Sequence, residues 1–194
     1  MGATKLQQEE LAQQRKAKKF NLWLGMIGMF MMFAALSSGF IVYTASGADK
    51  GIKTLLPQTF MYSTIVIVIS SLTVTLAYRA AKLGNIAKQK IFLIISLVLG
   101  LIFFGFQLDS WKIMTDQGIF FINNNASQSF IYIFTGLHLA HIIVGLFVLS
   151  RVFVGVTQHI PQDNNVFRMD LASIFWHFLD LLWIYIYVFL LLNQ

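Results

Sequence analysis

Six polar side chains sit where an apolar sequence has no ordinary use for them. His138 and His141 lie three residues apart in TGLHLAHIIVG, and His177 and Asp180 lie three apart in FWHFLDLLW. Gln107 and Asp109 close the apolar run GLIFFGFQLD. Residues three apart on a helix share a face, so each pair presents two groups together. Four kinds of chemistry use such groups. Haem iron takes histidines, usually from two helices at matched depth; here two of the three come from one helix. A metal ion wants a fuller shell than His138, His141, His177 and Asp180 supply. An intramembrane His/Asp pair serves proton relays and transporters, yet no broken helix or internal repeat accompanies this one. The fourth use is structural: a polar clamp of His138, His141, His177 and Asp180 locking two helices. The residues taken alone favour that clamp. No catalytic residue, cofactor ligand or metal ligand is assigned, and Gln107 and Asp109 are secondary polar positions.

The elements that position these groups follow from composition. The chain has 194 residues, 57% hydrophobic, 15% aromatic and only 11% charged, with 19 phenylalanines. A soluble domain would carry about a quarter charged residues, so part of this chain's solvent is lipid. Cysteine is absent, which excludes disulfides, zinc–thiolate sites, iron–sulfur clusters and thiol catalysis. Crossing the hydrocarbon core takes roughly 20 apolar residues, and five runs qualify: about 20–44, 57–78, 91–110, 129–150 and 173–192. They are continuous rather than alternating, which argues against a barrel and leaves helices. The expectation is an all-α polytopic transmembrane bundle of five spans over residues 20–194. A basic segment, 1–19, precedes it as a solvated helix or frayed tail. That segment lacks the apolar run of a signal peptide, and MGATKL lacks the hydroxyl residue of the myristoylation pattern.

Basic residues set the expected orientation. Five precede span one (Lys5, Arg15, Lys16, Lys18 and Lys19), four follow span two (Arg79, Lys82, Lys88 and Lys90), and Arg151 and Arg168 flank the loop before span five. Only Lys50, Lys53 and Lys112 lie on the other side. The positive-inside rule then puts the N-terminus in the cytoplasm and the C-terminus in the periplasm. This distribution also accounts for the net charge of +6 without nucleic acid. On that topology His141 lies about 13 Å and Asp180 about 10 Å from the cytoplasmic ends of their spans. The two are level, and a hydrogen bond between them, direct or through one neighbour or water, is expected. Ala34…Ser38, Ala35…Gly39, Gly136…Ala140 and His141…Gly145 offer helix-contact faces, as do Ser70, Ser71, Thr73 and Thr75. Trp23, Tyr43, Tyr62, Tyr78, Trp111, Tyr132 and Trp176 fall near span boundaries, like an interfacial belt.

The two histidine motifs carry a resemblance. FTGLHLAHIIVG, Phe134 to Gly145, resembles the TGxHxxHVxxG signature of subunit III of the haem–copper respiratory oxidases. FWHFLDLLW, Phe175 to Trp183, resembles that family's last-helix signature YWHFVDxxW. The order is the family's, on the last two spans. Ser70–Ala77 looks like its Ser/Thr-rich helix and Gly100–Gln107 like its helix ending in glutamine. Five spans match the short bacterial form. The seven-helix form has two more N-terminal helices and holds lipids in a cleft between those two and the rest. Two departures are visible: Gly28-Met29 stands where the family has Ser-Glu, and Ser110, beside Asp109, stands where a glutamate follows the glutamine. Roles of those glutamates do not carry over; the His138, His141, His177 and Asp180 positions do.

The resemblance implies a non-catalytic subunit of a proton-pumping terminal oxidase that passes electrons from cytochrome c to oxygen in aerobic respiration. Subunit I reduces oxygen and pumps protons; haem and copper belong to partner subunits and none to this chain, with bound phospholipid as the ligand to look for. Implied partners are subunit I as the main contact, subunit II and other oxidase subunits, membrane lipids and a respiratory supercomplex. The implied location is the bacterial inner membrane, and the implied role is support of proton uptake and complex stability. Alternatives are subunit III of a quinol oxidase or a nitric-oxide-reductase accessory protein and, more remotely, a haem-carrying membrane anchor or small transporter.

Overall fold

Helix ends follow from capping residues rather than from the edges of the apolar runs. The computed structural model describes residues 2–47, 52, 56–122, 125–158 and 160–193, and the side chains of these except 2–6 and 8. Five helices cover most of them: α1 Gly2–Ala45, α2 Thr59–Lys82, α3 Ile86–Asp116, α4 Ala126–Thr157 and α5 Gln162–Leu192. Each is long and apolar enough to cross a membrane, and no strand occurs among the described residues. Lys50 and Lys53, and the side chain of Lys5, fall outside the described residues.

The helices outrun the apolar runs because hydropathy marks only the part in lipid. α2 stops at Gly84, whose φ of 69° is the left-handed conformation glycine adopts freely. Gly84 and Asn85 donate back to the Ala81 and Ala80 carbonyls, closing the helix end. The Asn85 side chain then accepts from Lys88 N at 3.1 Å and starts α3. Gly118, with φ 78°, ends α3 in the same way, and Asn125 caps α4 by accepting from Ser127 N at 3.0 Å. Of the two states expected for 4–19, helix or frayed tail, the structure has the helix, as the first part of α1 and continuous with the span.

Packing is uneven. α5 touches α1, α2 and α4; α3 touches α2 and α4; α1 meets only α4 and α5. At the end where α1 and α5 begin, Lys19 pairs with Asp170 at 3.1 Å. Arg15 there donates to Asn164 at 3.0 Å and lies over the Phe167 ring. The core is aromatic: Phe33, Phe40, Phe103, Phe134, Trp176 and Trp183 are all fully buried.

Three packing expectations change. Ala34, Ala35, Ser38 and Gly39 form no contact face; all four are exposed, because the opposite side of α1, through Met26, Phe33 and Phe40, is the buried one. Ala140 is exposed as well. Trp176 is no interfacial anchor, since it fills the centre of the bundle. A Cβ on Gly100 would lie 2.9 Å from its ring and one on Gly145 3.1 Å, so those two glycines make its room.

Candidate functional site

α4 and α5 run antiparallel in a register that sets Gly145 beside Trp176 and His138 beside Trp183. That register puts His141 level with Asp180, as the depth arithmetic expects. They do not meet. His141 bonds through Nδ1 to the carbonyl of Leu137 in its own helix, at 2.7 Å, and its ring lies 6.0 Å from Phe33 of α1. Asp180 is 4% exposed, and among the described residues neither of its oxygens has a hydrogen-bond partner. The expected direct His141–Asp180 bond is therefore not formed. Helical geometry gives the reason. A step of three residues turns a side chain by about 60°, enough to leave His138 facing the core while His141 swings toward α1.

His177 is the best-connected of the set, and its partners come from α2. Ser71 Oγ lies 2.7 Å from its Nδ1 and Thr75 Oγ1 3.2 Å from its Nε2. Thr75 gives its own proton to the Ser71 carbonyl at 3.0 Å, so its oxygen accepts from Nε2–H. Nδ1 then accepts from the Ser71 hydroxyl. Asp180 Oδ2 stands 3.9 Å from the same Nδ1, behind the Ser71 bond. His138 is the opposite case. It is fully buried with neither nitrogen bonded, walled by Trp183 at 5.1 Å and by the edge of Phe103 at 5.9 Å.

Gln107 is buried and donates through Nε2 to Ser63 Oγ at 3.0 Å, joining α3 to α2. Asp109, two residues on, faces outward and is exposed. Ser110, the position without the expected glutamate, bonds Thr59 at 2.6 Å. Of the six candidates, the structure brings His177 and Asp180 together and leaves His138, His141, Gln107 and Asp109 in four other environments. Among the described residues no three His, Asp or Glu side chains converge as a metal-ligand group.

Sequence reasoning missed three ties. Gln89 and Asn165 exchange amide bonds at 3.0 and 2.8 Å while fully or nearly fully buried. Trp176 donates to Ser70 Oγ at 3.2 Å, and Trp183 donates to Thr64 Oγ1 at 3.0 Å. The signal was present in part: α2 is rich in hydroxyls, of which Thr64, Ser70, Ser71 and Thr75 meet α5, and α5 offers two indoles and an imidazole at matching levels.

Hydroxyls of α2 thus answer two indoles and an imidazole of α5, with the two histidine motifs packed side by side. The profile of the family described as cytochrome c oxidase subunit III matches residues 16–193. The chain belongs to that family. Cytochrome c oxidase subunit 3 of Bacillus subtilis (strain 168) is 28% identical over 184 residues, covering 92% of this chain and 87% of the relative. The probable quinol oxidase subunit 3 of Staphylococcus saprophyticus is 24% identical, with coverage of 92% and 90%. The cytochrome bo(3) ubiquinol oxidase subunit 3 of Pseudomonas aeruginosa is 26% identical, covering 87% and 81%. The subunit III family thus includes cytochrome c and quinol oxidase forms, and this chain is a multi-pass membrane member of it. In this subunit III the two signatures lie on α4 and α5, and the last-helix signature supplies the α2 contacts through Trp176, His177 and Trp183.

Proposed function

We propose that this chain is a non-catalytic subunit III of a proton-pumping terminal oxidase of the bacterial inner membrane, accepting electrons from cytochrome c. It packs on subunit I, with its N-terminus in the cytoplasm and its C-terminus in the periplasm, and supports complex stability and proton uptake. The observation that carries the reading is the family match over residues 16–193, which takes in all five spans. The polar groups support the non-catalytic part. His177 has both nitrogens engaged by hydroxyls, and the His138 ring is enclosed by aromatic neighbours. His177 thus has no free nitrogen for a redox centre. Of the His/Asp set only His177 acts as a clamp, and it ties α5 to α2 rather than α5 to α4. An apolar perimeter with Leu72, Phe147, Leu181 and Ile143 exposed suits lipid and membrane partners.

The test is affinity purification of this chain from gently solubilised membranes. A haem–copper core travelling with it, with haem content unchanged by His138→Phe or His177→Leu, is the expected result. Recovery alone, or haem lost with either substitution, would sink the reading. Because named quinol oxidase relatives match at similar identity, the donor is tested on the same preparation. Oxidation of reduced cytochrome c supports the first reading, and oxidation of quinol alone supports the second.

A further inference from the structure

We propose that the slot between α1 and α2, floored by α5, seats one transmembrane helix of another polypeptide, whose cytoplasmic end carries a lysine or arginine for Asp163. α5 is the floor because α1 and α2 each pack on it and, among the described residues, do not touch one another. On the α1 side Tyr185 donates to Ser37 Oγ at 2.7 Å and Asp170 pairs with Lys19. On the α2 side Ser71 and Thr75 hold His177. One stripe of α5 runs between these two lines of ties. It carries Asp163, Asp170, His177, Leu181, Val188 and Leu192, at steps of seven and four that return to one face of a helix. Two depressions of about 420 Å³ each lie on that face, one toward each end. The first has apolar walls that include Leu181, Tyr185, Val188 and Leu192. The second is the mouth, bordered by Arg15 of α1, Tyr78 and Lys82 of α2, and Asp163 and Asp170 of α5.

Three features favour a polypeptide helix over lipid tails. Length is the first. From Asp163 to Leu192 the stripe runs about 44 Å at 1.5 Å per residue, more than the roughly 30 Å of hydrocarbon, so the slot crosses both leaflets. Pitch is the second. Leu181, Tyr185, Val188 and Leu192 follow at steps of four, three and four, the spacing of a seam that packs against a second helix. Leu181 is 65% exposed and Leu192 78%, so this chain leaves the seam open. Charge is the third. Arg15 is bonded to Asn164 and lies over Phe167, Lys82 lies over Tyr78, and Lys19 is taken by Asp170. Asp163 is exposed and forms no ion pair among the described residues. An unpaired acid repels anionic headgroups, whereas transmembrane helices carry Lys and Arg at their cytoplasmic ends. The inference rests on the proposed function for sidedness, since the Asp163 end must be the cytoplasmic one. A helix seated there would also flank α1, which otherwise meets only α4 and α5.

The test places the photocrosslinker p-benzoylphenylalanine at Leu181 or at Val188 and irradiates native membranes. The complex is then purified through a tag on this chain, and adducts are identified by peptide mass spectrometry. Both positions are expected to reach one apolar span of the same polypeptide, at points about seven residues apart. That span is expected to end in Lys or Arg on the Asp163 side. Asp163→Lys is expected to lower both yields by about fivefold, the worth of one exposed ion pair. Lipid adducts alone at both positions overturn the proposal. So do adducts to two unrelated spans, a span without a cation at that end, or yields that Asp163→Lys leaves unchanged. Ile184, also exposed, takes the probe should either labelled chain fail to assemble. Haem–copper subunits are scored in the same sample. Core subunits with lipid adducts alone sink this proposal and leave the subunit III reading standing; a polypeptide adduct without the core does the reverse.

Discussion

At the scale of single residues, the buried histidines and the acid do different jobs, and substitution separates them. His138 has no hydrogen bond and sits among rings. Replacing an unsatisfied buried polar group by an apolar one of similar shape is neutral or stabilising. His138→Phe is therefore expected to leave the melting temperature of the purified complex unchanged or to raise stability by about 1 kcal/mol. His177 holds two hydroxyls and faces Asp180. His177→Leu strands the Ser71 and Thr75 hydroxyls, and a loss of about 1–3 kcal/mol is expected. Asp180→Asn keeps the shape and removes the charge, so by itself it costs little. Combined with His177→Leu it reads whether ring and acid, 3.9 Å apart, depend on one another. A double-mutant cycle by thermal melting measures that coupling; strict additivity would show that ring and acid do not interact.

Glycine positions test the elements. A Cβ on Gly145 would meet Leu179 at 2.8 Å, and one on Gly100 would meet Leu146 at 2.7 Å, both beside buried Trp176. Overpacking of this kind costs about 1–3 kcal/mol, so Gly145→Val and Gly100→Val lower the yield of assembled complex on a blue-native gel. Gly28→Ala meets nothing within 4 Å and leaves the yield unchanged. The contrast shows what the sequence made legible. Five spans, their order and the depth match of His141 with Asp180 could be read from hydropathy and a rise per residue. Which face of α1 is buried could not, because Ala34, Ala35, Ser38 and Gly39 follow the same small-residue pattern that real contacts use, while the large Met26, Phe33 and Phe40 carry the packing. The azimuth of Asp180 was hidden for a related reason. Depth is one-dimensional and adds along a chain, but the partner of a side chain depends on how three helices are rotated. The α2 hydroxyls were recognised as sticky, yet nothing in their spacing named His177 as the group they hold.

For the whole molecule, sidedness ties the pieces together. Arg15 and Lys19 of α1 touch Asn164 and Asp170 of α5, and Gln162 donates to Ala81 O at the end of α2. The start of α1, the α2–α3 turn and the start of α5 thus share one end of the bundle. Eleven of the 14 basic residues belong to that end by chain order, and Lys112 on α3 belongs to the other. By the positive-inside rule we propose that the crowded end is the cytoplasmic one. A chain without cysteine allows a direct test with single introduced thiols at exposed sites. Lys112→Cys is expected to react with a membrane-impermeant maleimide in intact spheroplasts, and Lys88→Cys only after lysis. The opposite pattern would invert the topology. Labelling of both thiols in intact spheroplasts would mean that the chain does not cross an odd number of times between them. With the expected pattern, the α1–α5 ion pair and the bond from Gln162 to the end of α2 lie together at the cytoplasmic surface.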